Sequence, residues 1–238
     1  MLKISSFIRT CFFYLGYFSS LILWTILCIT VGNFLSLKKR YKYFLYWNKF
    51  AIKWLSLCCG VKVSIIGIEN IPKHPVILIS NHQSPWETIF LYYYFSPVSA
   101  ILKKELLRIP LFGWSLAMLK PIAIDRKRKL NARLAILKQG KELLENNISI
   151  LIFPEGTRVN PGKIKKYQAG GAVLAIEAGA TVLPVSHNAG YYWPSGKFIK
   201  YPGTIKVTIG KPIETTGRSA RELIDEVETW NRQSLQKK

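Results

Sequence analysis

The chain reads as an α/β protein, with a largely parallel central sheet flanked by helices and an N-terminal membrane-anchoring helical segment ahead of it. Two observations carry this. From Val61 onward, short β-branched runs alternate with longer stretches of helical periodicity, the pattern of βαβ units. Before that, Thr10 to Leu37 contains no charged residue, which exceeds the roughly 20 apolar residues that cross a hydrocarbon core.

The first element is that apolar run. It is too long for the hydrophobic part of a signal peptide, and no small-residue cleavage site follows it. Lys3 and Arg9 precede it, while Lys38, Lys39, Arg40 and Lys42 follow it. The heavier basic flank is C-terminal, which places the downstream chain in the cytoplasm. Because the leading flank is also basic, a segment that enters the membrane and returns on the same side remains open. Tyr41 to Cys58 reads as an amphipathic helix: Lys42, Lys49 and Lys53 fall on one face, and Phe44, Trp47, Ala51, Leu55 and Cys58 on the other. Such a helix suits the headgroup boundary, with Trp47 and Trp54 near the interface, or else packs on the domain. Residues 1–60 are therefore expected to form the membrane anchor and interfacial helix, and residues 61–238 a single catalytic domain.

Within that domain, strands are expected at Val61–Ile66, Val76–Ser80, Val98–Leu102, Ile122–Ile124, Ser149–Phe153, Thr181–Val185 and Ile205–Ile209. Helices are expected at Trp86–Phe95, Lys129–Asn147 and Ala169–Ala178, and in the tail after Ser219, where Leu223, Val227 and Trp230 recur at helical spacing. No internal repeat or low-complexity linker interrupts this order.

Composition narrows the function classes. The chain carries 34 Lys+Arg against 13 Asp+Glu, a formal charge of +21, so its partners are polyanionic. With 49% hydrophobic residues, an anionic membrane face fits better than nucleic acid. The four cysteines, Cys11, Cys28, Cys58 and Cys59, have neither a disulfide framework nor zinc spacing and read as small apolar residues.

Three segments carry chemistry. Asn81-His82-Gln83-Ser84-Pro85-Trp86-Glu87 follows a strand directly, at the end where parallel sheets collect ligands. A turn there brings the Glu87 carboxylate back to the His82 imidazole, leaving the other ring nitrogen to take a proton from a hydroxyl. The same residues form a capping box, Ser84-x-x-Glu87, and both readings stand. Phe153-Pro154-Glu155-Gly156-Thr157-Arg158 ends another strand in a tight turn that offers backbone amides and Arg158 to an anion, or else pairs Glu155 with Arg158 on the surface. Lys103-Lys104-Glu105, Phe112-Gly113-Trp114 and Ile124-Asp125-Arg126 interleave basic and aromatic groups, which by itself is the pattern of a solvated basic face. His74 and His187 are assigned no role.

Taken together, these blocks and Val182-Leu183-Pro184-Val185 resemble, in order and separation, the lysophosphatidic acid acyltransferase family (1-acylglycerol-3-phosphate acyltransferases), from about Val61 to Ile213. The resemblance implies a glycerolphosphate acyltransferase-like fold. It also implies that His82 is the general base, oriented by Glu87, and that Arg158 and Arg126, with Lys103 or Lys104, grip the acceptor phosphate. Glu155, Gly156 and Thr157 would contact the acceptor, and Pro184 would line the acyl site. The family's usual acid at the position of Glu87 is aspartate, though some bacterial members resemble this chain in carrying glutamate. The implied reaction moves a fatty acyl group from acyl-CoA or acyl-carrier protein to the sn-2 hydroxyl of lysophosphatidic acid, giving phosphatidic acid. It uses no metal and no tightly held cofactor. Membrane phospholipid is the expected partner, and nucleic acid is not. The expected location is the inner membrane, with the catalytic domain facing the cytoplasm. Rival acceptors are lyso-ornithine lipid or glycerol 3-phosphate, and the rival class is a non-catalytic protein that binds anionic lipid.

Overall fold

The computed structural model of the chain describes residues 2–125, 129–163 and 165–236. Arg126, expected at the phosphate, lies outside the described residues.

A seven-stranded sheet forms the centre, in the order β1-β7-β6-β2-β5-β3-β4. Its strands are β1 (Val61–Ile66), β2 (Ile77–Ser80), β3 (Val98–Lys103), β4 (Ile122–Ile124), β5 (Ser149–Ile152), β6 (Val182–His187) and β7 (Gly203–Ile209). β6, β2, β5, β3 and β4 run parallel to one another, with Ile79 opposite both Ile152 and Pro184. Among the described strands the β6–β7 pair alone is antiparallel, and β1 then follows β7 in parallel. The short apolar runs dictate this: β2 is buried at every position, as expected of a strand covered on both faces.

Two helical layers supply the cover. The helices are α1 (Leu2–Gly32), α2 (Leu37–Phe44), α3 (Tyr46–Cys59), α4 (Trp86–Tyr94), α5 (Phe112–Ala117), α6 (Lys129–Glu145), α7 (Gly170–Glu177) and α8 (Ala220–Gln236). The layer of α6, α7 and α8 packs through residues such as Leu174, which lies between Gly140 and the sheet. The layer of α3 and α4 has α1 laid against it.

The expected amphipathic helix breaks at Leu45 into α2 and α3, and its apolar face is turned inward. Trp47, Ala51 and Leu55 are buried in the same cluster as Phe13 of α1 and Ile77 of β2. The two indoles expected at a lipid headgroup boundary instead bond to α1: Trp47 Nε1 donates to Ser20 Oγ at 3.1 Å and Trp54 Nε1 to the Phe13 carbonyl at 3.1 Å. Further ties run the length of α1. Arg9 Nε donates to the Cys58 carbonyl at 2.9 Å, Trp24 Nε1 to the Phe44 carbonyl at 3.0 Å, and Arg40 Nε to the Gly32 carbonyl at 2.8 Å. At Gly16 the approach is so close that an added Cβ would stand 2.5 Å from the Trp54 indole nitrogen. Lys200 completes the seam: its backbone N–H donates to Thr10 Oγ1, and its buried ammonium lies over the Tyr14 and Trp193 rings. Segment 1–60 and the domain after it thus share one core.

The outer face of α1 is the reverse of this, with Phe12, Leu15 and Leu23 exposed. The stretch Ile4–Gly32 is long and apolar enough to cross a membrane, with a mean hydropathy of 1.9.

Candidate active site

Because β6, β2, β5, β3 and β4 are parallel, their carboxyl ends share one edge. Read along it in sheet order, the edge presents His187, then Asn81 and His82, then Phe153 to Arg158, then Lys103 and Lys104, and finally Asp125. Segments scattered over more than a hundred positions are brought together there by topology alone.

His82 is fixed from four directions. Its backbone N–H donates to Glu155 Oε2 at 2.6 Å, and its carbonyl accepts from the Val159 N–H at 2.7 Å. Its ring stacks on Phe153 at 4.2 Å between centroids, and Nδ1–H donates to Glu87 Oε1 at 2.7 Å. With Nδ1 engaged, Nε2 is the nitrogen left for a substrate, and the side chain keeps 15% of its surface exposed.

Glu87, fully buried in the first turn of α4, performs both tasks that its sequence context allowed. The same Oε1 that holds His82 also accepts from the Ser84 N–H at 2.8 Å and the Gln83 N–H at 2.9 Å. Ser84 Oγ in return accepts from the Trp86 N–H at 3.0 Å. The Glu87 half of the capping box and the His–Glu pair are therefore one structure, in which the Gln83 and Ser84 amides fix the carboxylate that orients the imidazole.

The two buried carboxyls at this histidine are driven apart. Burial works to raise Glu87, but the interactions with His187, His82 and the Ser84 amide outweigh it and hold the carboxyl below its ordinary value. For Glu155 burial prevails over the His82 amide and the Lys165 charge, pushing it up to about 8, and the Glu87 charge adds to the rise. The histidine thus has beside it one carboxyl held below its ordinary value and one pushed above it.

The turn after β5 needs a left-handed residue, and Gly156 supplies it with φ of 69°. Its amide is engaged by the Phe153 carbonyl at 3.1 Å, and the Glu155 side chain points inward to the His82 backbone, so the exposed residues of the turn are Thr157 and Arg158. Glu155 bonds to His82 rather than to Arg158. Lys103 is exposed at the end of β3, while Lys104 pairs with Asp125 at 2.6 Å. Pro184 is not at the edge: it lies inside β6, opposite Ile79, with its carbonyl accepting from the Gly210 N–H.

Sequence reasoning missed Asn81 and His187. Asn81 clasps the end of β6, donating from Nδ2 to the His187 carbonyl at 2.9 Å and accepting the His187 N–H at 3.0 Å. Their separation along the chain hid the contact.

Comparison with known proteins decides what this edge belongs to. Residues 62–188 match the Acyltransferase family. The chain belongs to the acyltransferase family. It is 44% identical over 227 residues to a 1-acyl-sn-glycerol-3-phosphate acyltransferase of Pseudomonas aeruginosa, covering 94% of this chain and 88% of that protein. A chloroplastic 1-acyl-sn-glycerol-3-phosphate acyltransferase of Arabidopsis thaliana is 30% identical over 178 residues, and the match covers 73% of this chain and 49% of the plant protein. Among solved structures, that of the 1-acyl-sn-glycerophosphate acyltransferase PlsC from Thermotoga maritima superposes with a TM-score of 0.80 at 28% identity, covering 99% of this chain and 96% of that one. The whole acyltransferase is matched there, including the helices before β1.

Proposed function

We propose that this acyltransferase moves a fatty acyl group from an acyl thioester to the sn-2 hydroxyl of lysophosphatidic acid, giving phosphatidic acid for phospholipid synthesis. The observation that carries the reading is the His82–Glu87 pair at 2.7 Å on the shared strand edge, in a chain whose Pseudomonas relative bears that activity in its name.

The step follows from the geometry. With Nδ1–H held by Glu87, His82 Nε2 takes the hydroxyl proton as the oxygen attacks the thioester carbonyl carbon. The tetrahedral intermediate collapses with cleavage of the C–S bond, and the leaving thiolate takes the proton back from Nε2. Glu87 stabilises the imidazolium between these events, and base assistance of this kind contributes about 10²- to 10⁴-fold. Neither a metal nor a tightly held cofactor is needed, because the thioester is itself the activated group. Arg158, with Arg126 and Lys103, binds the acceptor phosphate, while the Lys104 ammonium is paired with Asp125. Thr157 and the amides of its turn approach the acceptor, and Pro184 shapes the acyl side of the sheet.

For location, we propose the inner membrane, with the site on the cytoplasmic side. Helix α1 is bonded to the domain from Arg9 to Gly32, so it lies along the domain with its outer apolar face in one leaflet rather than projecting across the bilayer. The rival reading, a protein that only binds lipid, does not account for a buried carboxylate orienting a partly exposed imidazole.

The test is a panel of acceptors offered with both CoA and carrier-protein donors. Lysophosphatidic acid should be acylated in preference to lyso-ornithine lipid and glycerol 3-phosphate. Preference for either of those, or no thioester consumption with any of them, would overturn the proposal.

A further inference from the structure

His187 ends β6, is wholly buried, and has no part in the step described above. Its hydrogen bonds define its tautomer. The backbone N–H of Ala189 donates to Nδ1 at 3.3 Å, so the ring proton is on Nε2, from which it is donated to the Asn81 carbonyl at 2.9 Å. The same Nε2 stands 3.9 Å from Glu87 Oε2. That oxygen is buried and has no hydrogen-bond partner among the described residues, whereas Oε1 has three. Glu87 therefore sits between two histidines, His82 at one oxygen and His187 at the other.

With Nδ1 accepting the Ala189 N–H, the ring offers an N–H dipole rather than a charge, and burial lowers its proton affinity even with Glu87 beside it. A buried carboxylate oxygen without a bond is costly, and the polar edge of the His187 ring 3.9 Å away offsets part of that cost. The titratable groups facing Glu87 are His82 from the adjoining loop, His187 from β6 and Glu155 from the turn after β5.

We propose that His187 is a positioning residue of the dyad: its Nε2–H is donated to the Asn81 carbonyl, and its ring, 3.9 Å from Glu87 Oε2, acts electrostatically on the carboxylate that presents Oε1 to His82. Through Asn81 it also fixes the residue immediately before His82. The inference rests on His82 being the base. Its consequence is directional: without that nearby dipole, Glu87 holds its negative charge less well and protonates at higher pH, so the acid limb of kcat/KM moves up.

Two variants of the full-length protein test this, assayed with lysophosphatidic acid and an acyl thioester. His187→Leu keeps the bulk and removes the donor, whereas His187→Gln places an amide N–H where Nε2–H stands. The Leu variant should lose at least about tenfold in kcat with KM values within about twofold, and its acid limb should shift upward. The Gln variant should recover to within about threefold of wild type with the limb restored. Should Leu fail to fold, His187→Asn, whose amide falls nearer Nδ1, takes its place and should lose what Gln keeps. Equal losses in both variants, an unmoved acid limb, or a Leu variant as active as wild type would overturn the proposal. His82→Asn, assayed in parallel, separates the two claims. Full activity there would overturn the base itself, whereas an inactive His82→Asn beside a fully active His187→Leu would overturn only the role of His187.

Discussion

At the scale of single residues, Glu87 shows how one oxygen atom can serve a fold and a reaction together. Three N–H groups converge on Oε1, and hydrogen bonds to a charged acceptor are worth roughly 1.5–3 kcal/mol each. Glu87→Gln keeps an oxygen for all three donors but loses the charge that balances the imidazolium, and its amide N–H₂ then faces the His187 donor. Turnover should fall at least about tenfold with a small change in melting temperature. Glu87→Asp keeps the charge on a stem one methylene shorter, and it should retain more turnover than Gln while losing more stability, because it cannot reach the cap and His82 together. Kinetics and thermal melts of the pair decide it, and a Gln variant with full activity would leave Glu87 as a cap alone. Arg158 poses a simpler question. Exposed beside the site, it acts by charge, so Arg158→Ala should slow transfer to lysophosphatidic acid far more than to a neutral lysolipid. Equal losses on the two acceptors would make its role structural.

At the scale of elements, the turn after β5 is a support for the loop after β2. Glu155 reaches across to the His82 amide, and its carboxyl ionises near 8 in the folded protein against an ordinary value of 4.5. Between those values the folded state holds a proton that the unfolded chain has released, so this group makes stability fall as pH rises through the window. Glu155→Gln keeps the acceptor and removes the titration. The variant should match wild type at about pH 5 and melt higher at about pH 8, and parallel slopes across that range would contradict this account. The strands and most helices were legible in the sequence because each is a short apolar run closed by a turn; β1 and β4 have the expected bounds. What the sequence hid was contact between distant segments. A pattern of lysines and aromatics defines an amphipathic face, but only the position of α1 shows that the face of α3 is covered by protein. His187 was passed over for the same reason, since its partners Asn81 and Glu87 lie about a hundred residues away.

At the scale of the whole molecule, the chain joins a basic, apolar exterior to a site on one sheet edge, and α1 belongs structurally to both. Removing residues before Tyr41 strips the bonding partners from the Trp47 and Trp54 indoles and uncovers Trp193, which packs on Phe13 at 5.1 Å between ring centroids. Lost hydrogen bonds of about 1 kcal/mol each, together with about 2 kcal/mol or more for each newly exposed aromatic, should lower the melting temperature by more than about 10 °C. A truncated protein that melts like the full chain and lacks only its attachment to vesicles would show instead that α1 is a detachable anchor. The account as a whole depends on His82 moving a proton. The most direct measurement is turnover of lysophosphatidic acid and an acyl thioester by His82→Asn, whose amide N–H can stand where Nδ1–H meets Glu87 while offering no base. Activity should fall at least about 10²-fold with the fold and membrane attachment intact, and a variant that keeps more than about a tenth of wild-type turnover would contradict the mechanism.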